Sequence, residues 1–420
     1  MSISLASLFI AGLAVVSAAP PPDTGFIGRG TNLLSTTMLQ LRQSNDSNYV
    51  FSPLGYSTLL AVLAEGGVGP TRDQIAKALE LPEDSYTVRT AYRALLAPMQ
   101  ERGVPNQPEF KNWFYLKKNV TIEDGYKAIL EENYYTEVKE INNSLKSPEV
   151  NETSQETETT TAKEQTNERM EGAKAVEREI IQSLHSNGLE EIPPSKKGEK
   201  ELKSKAICFN ALFFNGMWAD SFSEVEGCNF QTPSGPVKVN CAESTGNFRM
   251  ARLEQLKAEV LQLPYQGGRY VLDIILPEKD QSLEDVTSKL TSLDLSTIDK
   301  KLVNRTMKIC LPKFKFYTIS RPKGALNKHG VEDVYSAAMA DLSTITGSKQ
   351  LYLADLVQYV SIEVNEKSAS YNHLTATSIA SLRTAIPEFH VNRPFLFFLR
   401  DKIENYTVVA GKLENPNSET

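Results

Sequence analysis

The stretch VQYVSIEVNEKSASYNHLTATSIASLR, residues 357–383, is where the fold declares itself. Its first part alternates, with Val360, Ile362 and Val364 apolar against Ser361, Glu363 and Asn365. Such alternation predicts a half-buried strand. The pattern then fades into small and polar residues, with no Gly or Pro to mark a tight turn. A strand that runs out into a long polar stretch needs a reason, and this one also carries Tyr371 and His373.

The rest of the chain sets the frame. It has 420 residues, 40% of them hydrophobic, and a net charge of −7. That composition supports a large core and argues against a general affinity for nucleic acid or anionic membranes. Residues 1–18 read as a signal peptide: the apolar run Leu5 to Val16 ends in small residues suited to cleavage before Ala19. The run is too short to span a bilayer. Six N-x-[ST] triplets follow, at Asn45, Asn119, Asn142, Asn151, Asn304 and Asn405. Leader and triplets together predict a secreted, extracellular glycoprotein.

Four cysteines allow three connectivities for two disulfides. Cys228 and Cys241 bracket a predicted hairpin with Pro233 and Gly235 at its turn, and are the favoured candidate disulfide. Cys208 reads as a buried thiol. There is no CxxC, and the histidines offer no metal spacing, so no metal and no cofactor are expected.

Helical patterns cover 30–43, 53–64, a short segment ending near Leu81, 86–100 and 122–135. Pro53 suits a first helical turn, and Thr71 with Gln74 has the spacing of a capping box. Residues 110–120 are strand-like and aromatic. Residues 142–168 then lose nearly all large apolar side chains and become rich in Ser, Thr and Glu, the signature of a flexible insertion. Helix resumes over 171–186. From Lys205 onward the pattern is mostly β, over 205–218, 228–249, 258–264, 270–276, 307–317, 350–365, 395–400 and 406–412. Helices early and strands late predict an α+β fold with large antiparallel sheets, as one domain over 19–420.

No catalytic constellation emerges. His185, His329, His373 and His390 lie outside any nucleophile-elbow or metalloprotease context, and the chain reads as a non-enzyme.

Six segments carry a family resemblance: VFSPLGYSTLLAVLAEGGVGPTRDQI (50–75), NALFFNGMWADSF (210–222), VLQLPYQGGRYVLDIILP (260–277), LPKFKF (311–316), FHVNRPFLFFLRD (389–401) and VVAGKLENP (408–416). In order and spacing they closely resemble serpins, the serine protease inhibitor family, over nearly all of the chain after the leader. The resemblance implies three β-sheets with about nine helices and an exposed reactive-centre loop before FHVNRPF. In inhibitory serpins a protease cuts this loop, which then enters the main sheet as a new strand.

The polar stretch from Glu366 resembles that loop, with departures at its hinge. The inhibitory pattern is Glu-Glu-Gly-Thr followed by alanines. Glu366 and Lys367 fit; Ser368 replaces the flexible glycine. Ala369, Tyr371, His373 and Thr375 share one side of a strand, and by resemblance that side enters the core. Tyr371 and His373 then have to displace packed atoms or bury polar tips, at about 1–3 kcal/mol each. In the sheet-opening region Ser52, Asn210 and Trp218 match serpin positions, while Gly55 stands for a second serine and Gln358 for a histidine. The resemblance leaves the reactive site at Leu382, implying a chymotrypsin-like target, or at Arg383, implying a trypsin-like one. It implies weak or lost inhibition with a binding, carrier or storage role; a functioning suicide inhibitor is the alternative. The expected partner is an extracellular serine protease or an unknown ligand, and the expected state is a monomer. Brief proteolysis should cut first within 143–168 and 370–386, since polar, unpatterned segments are preferred nicking sites. First cuts mapped by mass spectrometry to 205–218 or 395–412 would overturn the fold assignment.

Overall fold

The structure is a computed structural model and describes residues 22–41, 48–101, 104–117, 120–141, 171–183, 189–192, 201–367 and 386–418. Helices α1 (Gly25–Leu41), α2 (Pro53–Gly66), α3 (Pro70–Leu79) and α4 (Ser85–Leu96) come first, with β1 (Tyr49–Phe51) between the first two. Then follow β2 (Glu109–Lys117), α5 (Asp124–Asn133), β3 (Thr136–Ile141), α6 (171–183) and β4 (Leu189–Ile192). The strand-rich part holds β5 (Glu201–Phe214), β6 (Ser223–Thr232), β7 (Gly235–Leu253), β8 (Ala258–Pro264) and β9 (Tyr270–Pro277). After α7 (Leu283–Ser288) and α8 (Ile298–Lys301) come β10 (Val303–Pro312), β11 (Phe314–Ser320), α9 (Lys323–Lys328) and α10 (Ser343–Thr346). The chain closes with β12 (Leu351–Val364), β13 (Glu388–His390), β14 (Phe395–Asp401) and β15 (Tyr406–Leu413).

One sheet has six strands in the order β11-β12-β5-β2-β3, with β4 also on β5. The other has nine, β1-β15-β14-β9-β8-β7-β10-β13, with β6 also on β7. The resemblance implied three sheets. Two of them form one continuous ladder here because β7, 19 residues long, pairs with β6 and β10 and then with β8. The helix count slightly exceeds nine because α8 and α10 are four-residue turns.

The sequence explains where each element sits. The α2 helix is apolar nearly all round, and it is buried nearly all round, packed beneath the six-stranded sheet and β15. β9 and β14 are apolar apart from Asp273, Arg400 and Asp401, and are buried at every residue. Within β14, buried Arg400 holds Asp273 at 2.5 Å and Asp299 at 2.8 Å, so its charge is paired rather than isolated. A second, smaller core lies on the other face of the six-stranded sheet. There Ala173, Val176 and Ile180 of α6 pack on Tyr115, Phe209, Phe213, Val357 and Tyr359. Gly172 lets α6 approach closely: a Cβ there would stand 2.4 Å from the Tyr359 hydroxyl.

Some expectations need correction. The predicted strands 228–249 and 307–317 are each two strands, joined by a turn before Gly235 and broken at Lys313. Thr71 and Gln74 form no capping box. Gly69 caps α3, with φ 53° and no side-chain bond. The Thr71 hydroxyl instead accepts from the Asp341 amide, and Gln74 accepts from the amides of Glu332 and Asp333. The signal peptide, the insertion over 142–168, and the triplets at Asn45, Asn119, Asn142 and Asn151 lie outside the described residues. So do Ser368, Ala369, Tyr371, His373, Leu382 and Arg383.

Candidate functional site

The polar stretch leaves the end of β12, and β12 lies beside β5 in parallel register from Leu351 opposite Ser204 to Ile362 opposite Phe214. The outer neighbours of this pair, β11 and β2, are antiparallel to β12 and β5. A strand that doubled back from β12 into the seam would be antiparallel to both of its neighbours. Antiparallel pairing is slightly the stronger per residue, so the seam is a natural place for an added strand.

The seam is covered on both faces. Leu356, Val360 and Ile362 of β12, with Cys208, Leu212 and Phe214 of β5, face the main core. Val357 and Tyr359, with Phe209, Ala211 and Phe213, face α6. Any entering side chain therefore meets packed atoms on one side or the other.

Across the seam runs a buried polar hub. Asn112, Asn210 and Gln358 are register partners on β2, β5 and β12. Gln358 Nε2 donates to Asn210 Oδ1 and to the Ser52 carbonyl, both at 3.0 Å, and Gln358 Oε1 accepts from the Ser52 amide at 2.7 Å. Asn210 Nδ2 donates to Asn112 Oδ1 at 2.8 Å and the Lys111 carbonyl at 3.1 Å. The Ser52 hydroxyl donates to the Val408 carbonyl at 2.6 Å and caps α2 by accepting from the Gly55 amide at 2.9 Å. Ser52, Asn210 and Gln358 are fully buried. Gly55 makes room for this: a Cβ there would lie 2.2 Å from Asn210 Oδ1 and 2.5 Å from Gln358 Nε2. The two departures noted in the sequence thus fit each other, a longer amide on β12 beside a residue without a side chain on α2.

A second cluster holds the root of the polar stretch. Buried Trp218 donates its indole N–H to the Asn365 carbonyl at 2.6 Å, and its amide to the Lys367 carbonyl at 3.0 Å. Its ring stacks on Tyr265 at 4.3 Å. Asn365 Oδ1 accepts from the Lys367 amide at 2.9 Å. Lys313 reaches Glu366 at 2.7 Å and Glu224 at 2.8 Å. The Lys313 ammonium beside it holds the Glu366 carboxyl below its ordinary range. The structure therefore brings together Ser52, Gly55, Asn210 and Gln358 in one hub, and Trp218, Glu366 and Lys367 in one latch at the top of the seam. Asn112 and Lys313 belong to these clusters and were missed, because nothing in their local sequence marks a strand residue as a hydrogen-bond partner.

Of the two described triplets, Asn304 is exposed on β10. Asn405 is half-buried, and its Oδ1 accepts from Arg400 at 3.3 Å. Cys228 and Cys241 do come together, with no disulfide between them. All four cysteines are free thiols, and a third, Cys310, joins the first two. The hairpin register sets Cys228 opposite Val239 rather than Cys241.

Comparison with known proteins places the chain in a family. The model described as Serpin (serine protease inhibitor) matches residues 31–174 and 191–416. A serpin-like protein of Thermococcus kodakarensis is 28% identical over 383 residues, 89% of this chain and 82% of its own. Leukocyte elastase inhibitor A of Mus musculus is 25% identical over 391 residues, 89% of this chain and 94% of its own. Among solved structures, the mouse protein-Z dependent protease inhibitor superposes with a TM-score of 0.70 at 19% identity, covering 94% of this chain and 100% of its own. A serpin of the insect Tenebrio molitor, described as highly specific, gives 0.70 at 22% identity, covering 94% of this chain and 99% of its own. At such identities the two structures speak to the fold.

The hub makes a direct prediction. Gln358→Ala leaves the Ser52 amide and Asn210 Oδ1 buried without their partner, which should cost about 3 kcal/mol. Equilibrium urea unfolding measures this; a loss below about 1 kcal/mol would show that the hub contributes little.

Proposed function

The chain belongs to the serpin family, and from that membership we propose a secreted serpin glycoprotein with weak or lost protease inhibition and a binding, carrier or storage role. Serpins are in the main protease inhibitors rather than enzymes. The observation that carries the proposal is the cover on both faces of the β5–β12 seam. An inhibitory loop has to enter this seam faster than the protease releases it. Small side chains slide between packed layers; Tyr371 and His373 do not, and Ser368 lacks the freedom of glycine at the turn. Secretion rests on the leader and the N-x-[ST] triplets.

The second reading is a working suicide inhibitor of an extracellular serine protease, trypsin-like if Arg383 precedes the cut and chymotrypsin-like if Leu382 does. The seam itself favours it, being a parallel pair flanked by antiparallel strands, with every hub group satisfied.

Incubation with trypsin and with chymotrypsin, read on a denaturing gel, separates the two. Poor insertion predicts clean cleavage without a covalent complex, and a melting temperature nearly unchanged by the cut. Ser368→Gly, Tyr371→Ala and His373→Ala together should then raise the melting temperature of the cleaved form. A covalent complex with the unaltered protein, or a gain of many degrees on its cleavage, establishes the inhibitor reading instead.

Among the described triplets, Asn304 should carry glycan. Removing N-glycans from secreted protein should lower its mass, and Asn304→Gln should lose one glycan. An unchanged mass in both experiments would refute the glycoprotein assignment.

A further inference from the structure

Outside the seam, three thiols converge. The Sγ atoms of Cys228, Cys241 and Cys310 all lie within 4.8 Å of one another, and those of Cys228 and Cys310 are 3.9 Å apart. The residues come from β6, β7 and β10, which are neighbours in the sheet. The next strand, β13, pairs in parallel with β10 and sets His390 opposite Cys310. A bulge between Val225 and Cys228, with Gly227 at φ 71°, breaks the β6–β7 register just before the first thiol. Four adjacent strands thus each offer one side chain.

We propose that Cys228, Cys241, Cys310 and His390 form a Cys3His site for a zinc-class cation. A tetrahedral zinc–thiolate centre with Zn–S of about 2.3 Å separates its sulfurs by about 3.8 Å. The 3.9 Å contact matches that spacing and lies far beyond a sulfur–sulfur bond. Three thiols also suit a metal better than disulfides: pairing two strands the third beside them, whereas a cation uses all three. His390 has the second partner that histidine ligands usually have. Its Nε2 lies 2.8 Å from Glu388 Oε2, which leaves Nδ1 for the cation. Cys228 is only half-buried, which gives an ion its way in. Burial of Cys241 and Cys310 shields the sulfurs from solvent.

The full chain, isolated under reducing conditions without chelator, should hold one zinc by atomic spectrometry. Cobalt(II) added to stripped protein should produce the intense sulfur-to-cobalt charge-transfer band of a tetrahedral thiolate centre. Cys228→Ser, the mildest of the thiol substitutions, should weaken that band or abolish it while circular dichroism stays unchanged. Cys208→Ala, in the other sheet, should leave it intact. His390→Ala and Glu388→Gln should each weaken cobalt binding at least tenfold. The proposal is overturned if reduced wild-type protein gives no charge-transfer band, or if His390→Ala binds cobalt like the wild type. It is equally overturned if peptide mapping of the secreted protein finds two of the three cysteines joined as a disulfide.

Discussion

The hydrogen bond from Gln358 to Asn210 is the contact on which the architecture turns. It joins the two strands of the parallel pair at the centre of the six-stranded sheet, and the same amide clasps the backbone of Ser52 on both its polar groups. Through Ser52 it reaches the start of α2 and the carbonyl of Val408 on β15. Through Asn210 it reaches β2. Each of these groups is buried, so each requires a partner, and each partner is supplied by a different element. A polar network of this kind adds little net stability per bond but is costly to leave half-made. That asymmetry holds β5 and β12 at one spacing until something replaces the lost bonds.

An arriving strand can do so. Its backbone offers the seam edges the N–H and C=O groups that β5 and β12 give up on parting. Both the latch at Trp218 and the hub at Gln358 would have to give way for such a strand to enter. The first holds the chain leaving β12 by its carbonyls at Asn365 and Lys367, and the second holds the seam farther down. Gly55 shapes the hub. A side chain there would collide with both amides, so the hub in its present form depends on glycine as much as on its hydrogen bonds.

What the sequence disclosed follows the strength of local pattern. The largely apolar β9 and β14 and the capped, buried α2 were legible because burial on every side leaves few polar residues to confuse the period. The hub residues were legible through resemblance to serpins, and Ser52, Asn210 and Gln358 do meet. Elements without a period were not: β13 has three residues, and α8 and α10 four each. The spacing of Thr71 and Gln74 promised a capping box, but Gly69 and Pro70 shaped the helix start and freed both side chains to bind a distant segment. The thiol cluster left no local trace, because 82 residues separate Cys228 from Cys310 and only sheet order brings them together.

The two ends of the polar stretch are anchored unequally, and this bears on how it can move. One end continues β12, which has paired neighbours on both sides. The other continues into β13, a three-residue edge strand whose one partner among the described residues is β10. Entry of the uncut chain into the seam would pull on that weak edge, drawing Phe389 out of the core and His390 away from Cys310. Cutting the chain between the anchors removes this load, because only the half attached to β12 then has to travel. The shorter the grip of β13 on its sheet, the more the intact state depends on side chains to supplement it. Glu388 and His390 bond to each other, and Lys308 beside them on β10 binds Glu243 on β7 at 3.0 Å. The edge is thus tied laterally by charged side chains where backbone pairing is scarce, and the ties lie on the face where the three thiols converge.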